Sequence, residues 1–365
     1  MKKIKVGILG ATGMVGQNYL RLLKNHQWFE VKYLAASNNS AGKRYSDAVK
    51  NRWLMEENIP EKFKNIIVRD VRSYDSIPSD IKLFFSAIDL ENQETTKDLE
   101  FGYAKKGFAI VSNSSANRLT EDVPIIVPEI NPQHSKIISF QQQKRSFPKT
   151  GFVVSKPNCS IQSYLIAIHA LEKLGYPISN IHITTLQALS GAGSKGINDK
   201  NWRYNIIPYI EGEEKKTENE TLKILGNLKN DKIVTKSNLD ICATCIRVPV
   251  INGHTAVVSI KFKSLIPNKN EILEIWNKFH PKIKDYHLPS YPETPIVYKY
   301  NNDRPQVKLD VNNESGMAIT IGRLEKTKFF DFKFIGLSHN TIRGAAGGAI
   351  LTAELLVKDE YIKYD

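Results

Sequence analysis

A cysteine, an arginine and a histidine in this 365-residue sequence carry groups suited to making and breaking bonds. Cys159 stands in Lys156-Pro157-Asn158-Cys159-Ser160, between an apolar run at 152–155 and a helical pattern that starts near Ser160. A thiol at a helix N-terminus is favoured as the thiolate, because the positive end of the helix stabilises the anion. A nucleophilic cysteine would be placed there, although a free cysteine also serves as a small buried hydrophobe. Arg247 offers a planar fork for a carboxylate or phosphate. His254 titrates in the range that general acid–base chemistry needs. Both residue types also have ordinary structural uses.

A second kind of site is made of backbone. Gly10-Ala11-Thr12-Gly13-Met14-Val15-Gly16 follows the first apolar run and opens the first helical pattern. A glycine turn in that place presents N–H groups and a helix N-terminus to a phosphate. The GxxGxxG spacing is a variant of the dinucleotide fingerprint, with Gly10 and Gly13 in the turn. About twenty residues on, NAD sites place a carboxylate for the ribose 2′-hydroxyl. Ala35-Ala36-Ser37-Asn38-Asn39-Ser40-Ala41-Gly42-Lys43 has none, and its hydroxyls, amides and lysine suit a 2′-phosphate. NADP is therefore the expected cofactor. Gly191-Ala192-Gly193-Ser194-Lys195-Gly196 also reads GxGxxG but opens no clear amphipathic helix. A loop lying along cofactor or substrate is expected there.

Cys242-Ala243-Thr244-Cys245 raises zinc and redox chemistry. Zinc would want four ligands, and no second CxxC or HxxxH completes the set. A redox pair would open a helix after a strand, whereas this one runs into Arg247-Val248-Pro249. Structural cysteines and no metal are expected. Lys and Arg total 51 against 38 Asp and Glu, a formal net charge of +13. That charge is dispersed, with no block of five or six like residues. Nucleic-acid binding is therefore not expected, while anionic small molecules are favoured. No apolar run approaches the ~18 residues of a membrane helix. The apolar start at 4–9 is too short for a secretory signal, so the cytoplasm is the expected compartment, without membrane contact.

The elements that must position these groups fall into two parts. The first alternates strands at 4–9, 31–36, 66–71, 83–87 and 108–112 with helices at 14–23 and 91–106, which argues for βαβ units and a parallel sheet. Around 139–150 the chain turns polar, through Gln141-Gln142-Gln143-Lys144-Arg145, and reads as a surface loop near a domain border. Beyond it strand patterns dominate, at 152–155, 181–189, 239–250, 255–262 and 332–337, with helices at 160–174 and 271–278. An α+β domain with a mostly antiparallel or mixed sheet is expected. The last helical segment, 341–357, is rich in small residues that let it pack closely on another element or a ligand.

Six motifs occur in a definite order. They are Gly10 to Gly16, Pro157-Asn158-Cys159-Ser160, Gln187-Ala188-Leu189-Ser190-Gly191-Ala192-Gly193, Glu211-Gly212-Glu213-Glu214, Arg247-Val248-Pro249 with Gly253-His254, and Asn340-Thr341-Ile342-Arg343-Gly344-Ala345-Ala346. Together they resemble the aspartate-semialdehyde dehydrogenases of archaea and fungi, over nearly the whole chain. Two places depart from that pattern: Ile161-Gln162 after Ser160, where Thr is common, and Ser194-Lys195, where Tyr-Pro is often found.

The resemblance implies an α/β fold: an N-terminal Rossmann-like NADP-binding domain at 1–156, completed by the C-terminal helix at 340–365, and an α+β catalytic and dimerisation domain at 157–339. It implies NADPH-dependent reductive dephosphorylation of L-aspartyl 4-phosphate to the semialdehyde, in aspartate-family amino-acid biosynthesis. Cys159 would be the nucleophile, His254 the acid/base, and Gln187 would position the acyl group. Arg247 would hold the substrate carboxylate and Glu213 would sit near its amino group. Lys216 and Arg118 would hold the phosphate with Asn113, and Asn158 would line the same pocket. Thr12, Gly13, Met14 and Val15 would cradle the pyrophosphate; Ser37, Asn39 and Ser40 would meet the adenosine end, and Ser190, Gly191 and Asn340 the nicotinamide. The implied partners are an acyl phosphate, inorganic phosphate and further copies of the chain, as a homodimer or homotetramer. A malonyl-CoA or succinyl-CoA reductase on the same scaffold is the alternative, less suited to Glu211 to Glu214 and Lys216.

Overall fold

A computed structural model of the chain describes residues 2–74 and 77–364. The first sheet comprises β1 (Ile4–Leu9), β2 (Phe29–Ala36), β3 (Arg69–Asp70), β4 (Ile81–Ser86), β5 (Ala109–Ser112) and β6 (Phe152–Ser155). Their spatial order is β3-β2-β1-β4-β5-β6 and every pairing is parallel. Parallel neighbours need crossovers, two of which contain the Met14–Leu23 and Gln93–Lys105 helices. The strand order reverses between β1 and β4, and in such sheets ligands bind outside the carboxyl ends of the strands at that point.

The second sheet is mixed. After a small hairpin of β8 (Asn227–Lys229) and β9 (Lys232–Val234) come four of its strands, β10 (Asp240–Arg247), β11 (His254–Phe262), β12 (Ile296–Lys299) and β13 (Ile319–Lys326). With β7 (Ile178–Gln187) and β14 (Phe332–Ser338) they form the order β10-β7-β11-β14-β13-β12. The outer pairs are parallel and the inner ones antiparallel. One face packs on the Leu165–Lys173 and Lys269–Asn277 helices, where the buried Trp276 donates Nε1–H to Ala167 O at 3.0 Å.

The Gly347–Lys358 helix returns to the first sheet. Its Ala349, Ile350, Leu351, Leu355 and Leu356 share a core with Ile4, Val6, Ile8, Leu83 and Phe85. Small residues make the approach possible, and the segment before it, Ile342–Ala346, is a π-type turn rather than regular helix.

Several local expectations differ from the structure. The polar stretch at 139–150 is largely helix, Ile137–Arg145, and not a loop. Its Gln141 is fully buried because the amide completes the backbone: Nε2 donates to Asp122 O and Val153 O, and Oε1 accepts from Val153 N–H. At Gln141 polarity marks satisfied hydrogen bonds, whereas Gln143 and Lys144 beside it are exposed. The segment after Cys159 begins as a 3-10 turn, Ser160–Ser163, and regular helix starts only at Leu165. The glycine-rich stretch after β7 is two short helical turns, Leu189–Ala192 and Gly193–Asn198. The run at 66–71 contributes only the two-residue β3. Along β10, Cys242 and Cys245 lie three residues apart and so on opposite faces, Cys242 exposed and Cys245 buried.

Candidate active site

The register of the second sheet brings its chemistry to one edge. β7 and β10 run parallel with Gln187 opposite Arg247, so both side chains arrive at carboxyl ends. β11 is antiparallel to β7 and begins at His254, which places the histidine at the same edge. Cys159 follows β6 at the carboxyl edge of the first sheet. A cleft of about 380 Å³ lies between them, lined by Cys159, Gln187, Arg247, Glu213, Lys216 and Arg118, with Met14 and Val15 on the far wall.

His254 is fully buried. Its Nε2 lies 3.2 Å from Cys159 Sγ, and its Nδ1 accepts the Ala188 backbone N–H at 3.0 Å. A backbone amide can only donate, so Nδ1 carries no proton and the neutral ring holds its hydrogen on Nε2, facing the sulfur. Burial, then the Arg247 charge, pushes the imidazole down to about 3. This corrects the expectation of a histidine poised to gain and lose a proton near neutrality: His254 is a neutral donor. The thiol expectation is corrected too. With no regular helix at Cys159, burial and then the nearby Glu213 push the thiol up, while Lys156, Arg118 and Arg247 act to lower it.

The Glu213–Ile224 helix, for which no pattern was found in its charged sequence, supplies the next layer. Glu213, Lys216 and Glu220 recur at helical spacing and share a face. Glu213 accepts from Asn158 Nδ2 at 2.8 Å, Gln187 Nε2 at 3.2 Å and Lys216 Nζ at 3.0 Å. Burial acts to raise its carboxyl, but the Lys216 charge and these hydrogen bonds prevail and hold it below the usual carboxylate range. Glu220 accepts Asn158 N–H at 2.6 Å and pairs with buried Arg118 at 3.0 Å. Arg118 also donates to Asn113 O at 2.7 Å, which ties the loop after β5 to this helix. Beneath that loop lies Glu100, fully buried, raised by desolvation and accepting from Ser86, Ser112 and Asn117. Arg247 gives Nη1–H to Ala188 O at 2.7 Å and leaves a buried Nε–H without a partner.

The glycine turn fits a pyrophosphate. Gly10 has φ +80°, and a Cβ there would lie 2.4 Å from Ala87 O, so no larger residue fits. The Met14–Leu23 helix has no side-chain cap on its N-terminus and no acidic residue in its first turn, which leaves N–H groups for an anion. Thr12 is half-buried in this turn and its carbonyl accepts from Gln17. Ser190, Gly191 and Asn340 also line the main cleft; Asn340 donates to Ser190 Oγ at 2.7 Å and accepts from Gly253 N–H at 2.8 Å.

A second cavity of about 320 Å³ is lined by Ser37 and Asn39. Ser40 is not part of it: the residue is fully buried and its Oγ accepts from Arg52 at 3.0 Å. Sequence reasoning missed Arg72, Asp70 and Asp89 in this cavity, because they come from other strands and loops. It also missed Lys156 and Glu220, whose burial carries no local signal. No group of three or more metal-ligating side chains occurs among the described residues, and no helix there is long and apolar enough to cross a membrane.

Comparisons with known proteins agree with this architecture. Residues 5–138 match the family model of the semialdehyde dehydrogenase NAD-binding domain, and residues 169–343 that of the semialdehyde dehydrogenase dimerisation domain. The chain is 38% identical over 362 residues to the aspartate-semialdehyde dehydrogenase of Archaeoglobus fulgidus, covering 99% of this chain and 100% of that one. It is 40% identical over 366 residues to the Saccharomyces cerevisiae enzyme, with 98% of each covered. The crystal structure of the Candida albicans aspartate-semialdehyde dehydrogenase with NADP superposes with a TM-score of 0.87 at 35% identity, covering 99% of this chain and 100% of that chain.

Proposed function

The chain belongs to the aspartate-semialdehyde dehydrogenase family, and on that premise we propose that it reduces L-aspartyl 4-phosphate to L-aspartate 4-semialdehyde with NADPH, through a thioester on Cys159. The observation that carries the reading is the Cys159 Sγ to His254 Nε2 contact of 3.2 Å, at a cleft whose other walls hold Arg247, Lys216 and Arg118. Three cations beside a thiol suit an anionic acyl phosphate. Its dimerisation domain makes the protein a homo-oligomer; we assign a homodimer or homotetramer, acting in the cytoplasm in aspartate-family amino-acid biosynthesis. The domain division we adopt is 1–156 with 340–365, and 157–339.

Arg247 holds the α-carboxylate and Glu213 the ammonium of the substrate. Lys216 and Arg118, helped by Asn113, hold the phosphate. The Cys159 thiolate attacks the acyl carbon, the carbon–oxygen bond to phosphate breaks, and those cations stabilise the departing anion. Gln187 and Asn158, both fastened to Glu213, keep the acyl group in line. The Gly10–Gly16 turn, with Ser37 and Asn39 at the adenosine end, would hold NADPH, which when bound would supply the hydride for the thioester carbon. The oxygen on that carbon is negative after thiol attack and again after reduction, and His254 Nε2–H is placed to donate to it. Collapse of the alkoxide expels the Cys159 thiolate directly, so this step needs a hydrogen-bond donor and no proton transfer. A locked neutral histidine is sufficient for it.

The test is the reverse reaction: L-aspartate semialdehyde, phosphate and NADP⁺, read as reduced-nicotinamide absorbance. Phosphate-dependent formation of NADPH is the expected result. Its absence, with turnover of malonyl-CoA or succinyl-CoA instead, would overturn the phosphate roles of Lys216 and Arg118 while keeping Cys159.

A further inference from the structure

Lys156 takes no part in the steps above, yet it is among the most buried charged side chains of the molecule, 2% exposed. Its Nζ donates to Pro157 O at 2.6 Å and to Gly344 O. Both carbonyls belong to the wall around the thiol. Pro157 precedes Cys159 by two residues, and Gly344 is so close that a Cβ on it would come within 2.9 Å of Cys159 Cβ. No carboxylate pairs with this ammonium among the described residues. Glu220 is committed to Arg118 at 3.0 Å and Glu213 to Lys216 at 3.0 Å. Arg343, which also faces it, is taken by Glu129 at 2.6 Å.

A buried cation with no anion is strongly disfavoured, and a thiolate at half-buried Cys159, beside the Glu213 carboxylate, is disfavoured without a cation. Lys156 lies behind the cleft wall and meets the thiol's surroundings through the Pro157 and Gly344 carbonyls that its ammonium holds. His254 cannot supply the thiolate's counter-charge, because its Nδ1 is held as an acceptor by Ala188 N–H. Arg118 already has a carboxylate, and Arg247 lines the open cleft with its Nη1–H given to Ala188 O, which leaves Lys156 as the enclosed cation with no anion.

We propose that the Lys156 ammonium is the counter-cation of the Cys159 thiolate, a positioning residue that keeps the nucleophile charged before substrate arrives. The inference rests on the reading of Cys159 as the nucleophile. Relative to a thiol beside a neutral amine, one proton has moved from Sγ to Nζ and the net charge of the pocket is unchanged. Burial opposes each charge alone, lowering Lys156 to about 7 and raising the thiol. Each group acts on the other in the opposite sense, as members of a coupled pair do.

The experiment is the pH dependence of iodoacetamide alkylation at Cys159, located by mass spectrometry, in the unaltered enzyme, Lys156→Gln and Lys156→Met. Lys156→Gln keeps an N–H donor for the carbonyls and removes the charge. In both variants the midpoint should move up by about one unit or more, which is roughly a tenfold slower reaction at pH 7. An unchanged midpoint in a folded variant would overturn the proposal. Should neither variant fold, the coupling is read from the other side: in Cys159→Ser, NMR of ¹³Cε-labelled lysine should show Lys156 losing its proton at least about one unit lower than in the unaltered enzyme. An unchanged lysine titration would equally overturn it. Failure of the nucleophile reading looks different: Cys159→Ser would retain turnover, whatever Lys156 does.

Discussion

The turn after β1 and the thiol centre where the two sheets' edges meet are two walls of one cleft, built by opposite means. The turn is seven consecutive residues whose working groups are backbone N–H donors and the open end of a helix. The thiol centre takes Cys159, Gln187, Glu213, Arg247, His254 and Gly344 from six separate segments. A backbone cradle needs room and the right φ, while a convergent site needs charges balanced against one another out of water. The first should fail mainly through strain and cofactor affinity, the second through rate.

Removing the Cys159 thiol should give the largest effect. Cys159→Ser should lower kcat by on the order of 10⁴ or more while NADPH still binds by fluorescence titration; retained turnover would take the chemistry away from this wall. His254→Ala removes one oxyanion donor and should cost about 10²–10³ in kcat. The pH profile sharpens that case. With the ring lowered to about 3, it is neutral and able to donate throughout pH 5–8, so the rate should show no inflection that belongs to His254. An inflection near pH 6–7 that vanishes in His254→Gln would show that the ring titrates after all.

Arg247→Lys loses the planar fork and should raise KM by roughly 10–100-fold, with a smaller change in kcat. An unchanged KM would remove Arg247 from the substrate carboxylate. On the backbone wall, Gly10→Ala meets both a positive φ and Ala87 O at 2.4 Å. It should cost about 1–3 kcal/mol of stability in thermal or urea unfolding and weaken NADPH binding. Normal stability with normal affinity would show that the turn has more freedom than its geometry indicates. The smallest effect belongs to Cys242→Ala, on the exposed face of β10, which should stay within about 0.5 kcal/mol of the original stability and leave turnover unchanged.

How legible each wall was follows from the same contrast. The turn could be read directly because its residues are adjacent and its glycines are demanded by local geometry. Cys159, Gln187, Arg247 and His254 could be singled out from motif order, and β7, β10 and β11 from their apolar runs. Gln141 misled, because a buried amide that completes backbone hydrogen bonds looks the same in sequence as an exposed one. The Glu213–Ile224 helix was missed for a related reason: its inward face is charged, with Glu213, Lys216 and Glu220 aimed at partners on other elements.

The sequence by itself determined most strands of the first sheet, the glycine turn and the set of reactive side chains, since these depend on periodicity and on neighbours within a few residues; the run at 152–155, read with the second part, pairs with β5 in the first sheet. Only the tertiary structure decided how those side chains are charged. The tautomer of His254 depends on an N–H from Ala188, sixty-six residues away. The isolation of Lys156 depends on a carbonyl at Gly344, one hundred and eighty-eight residues away. Protonation in a buried site is set by what surrounds a group in space and by how little water reaches it, and neither is a property of the local chain.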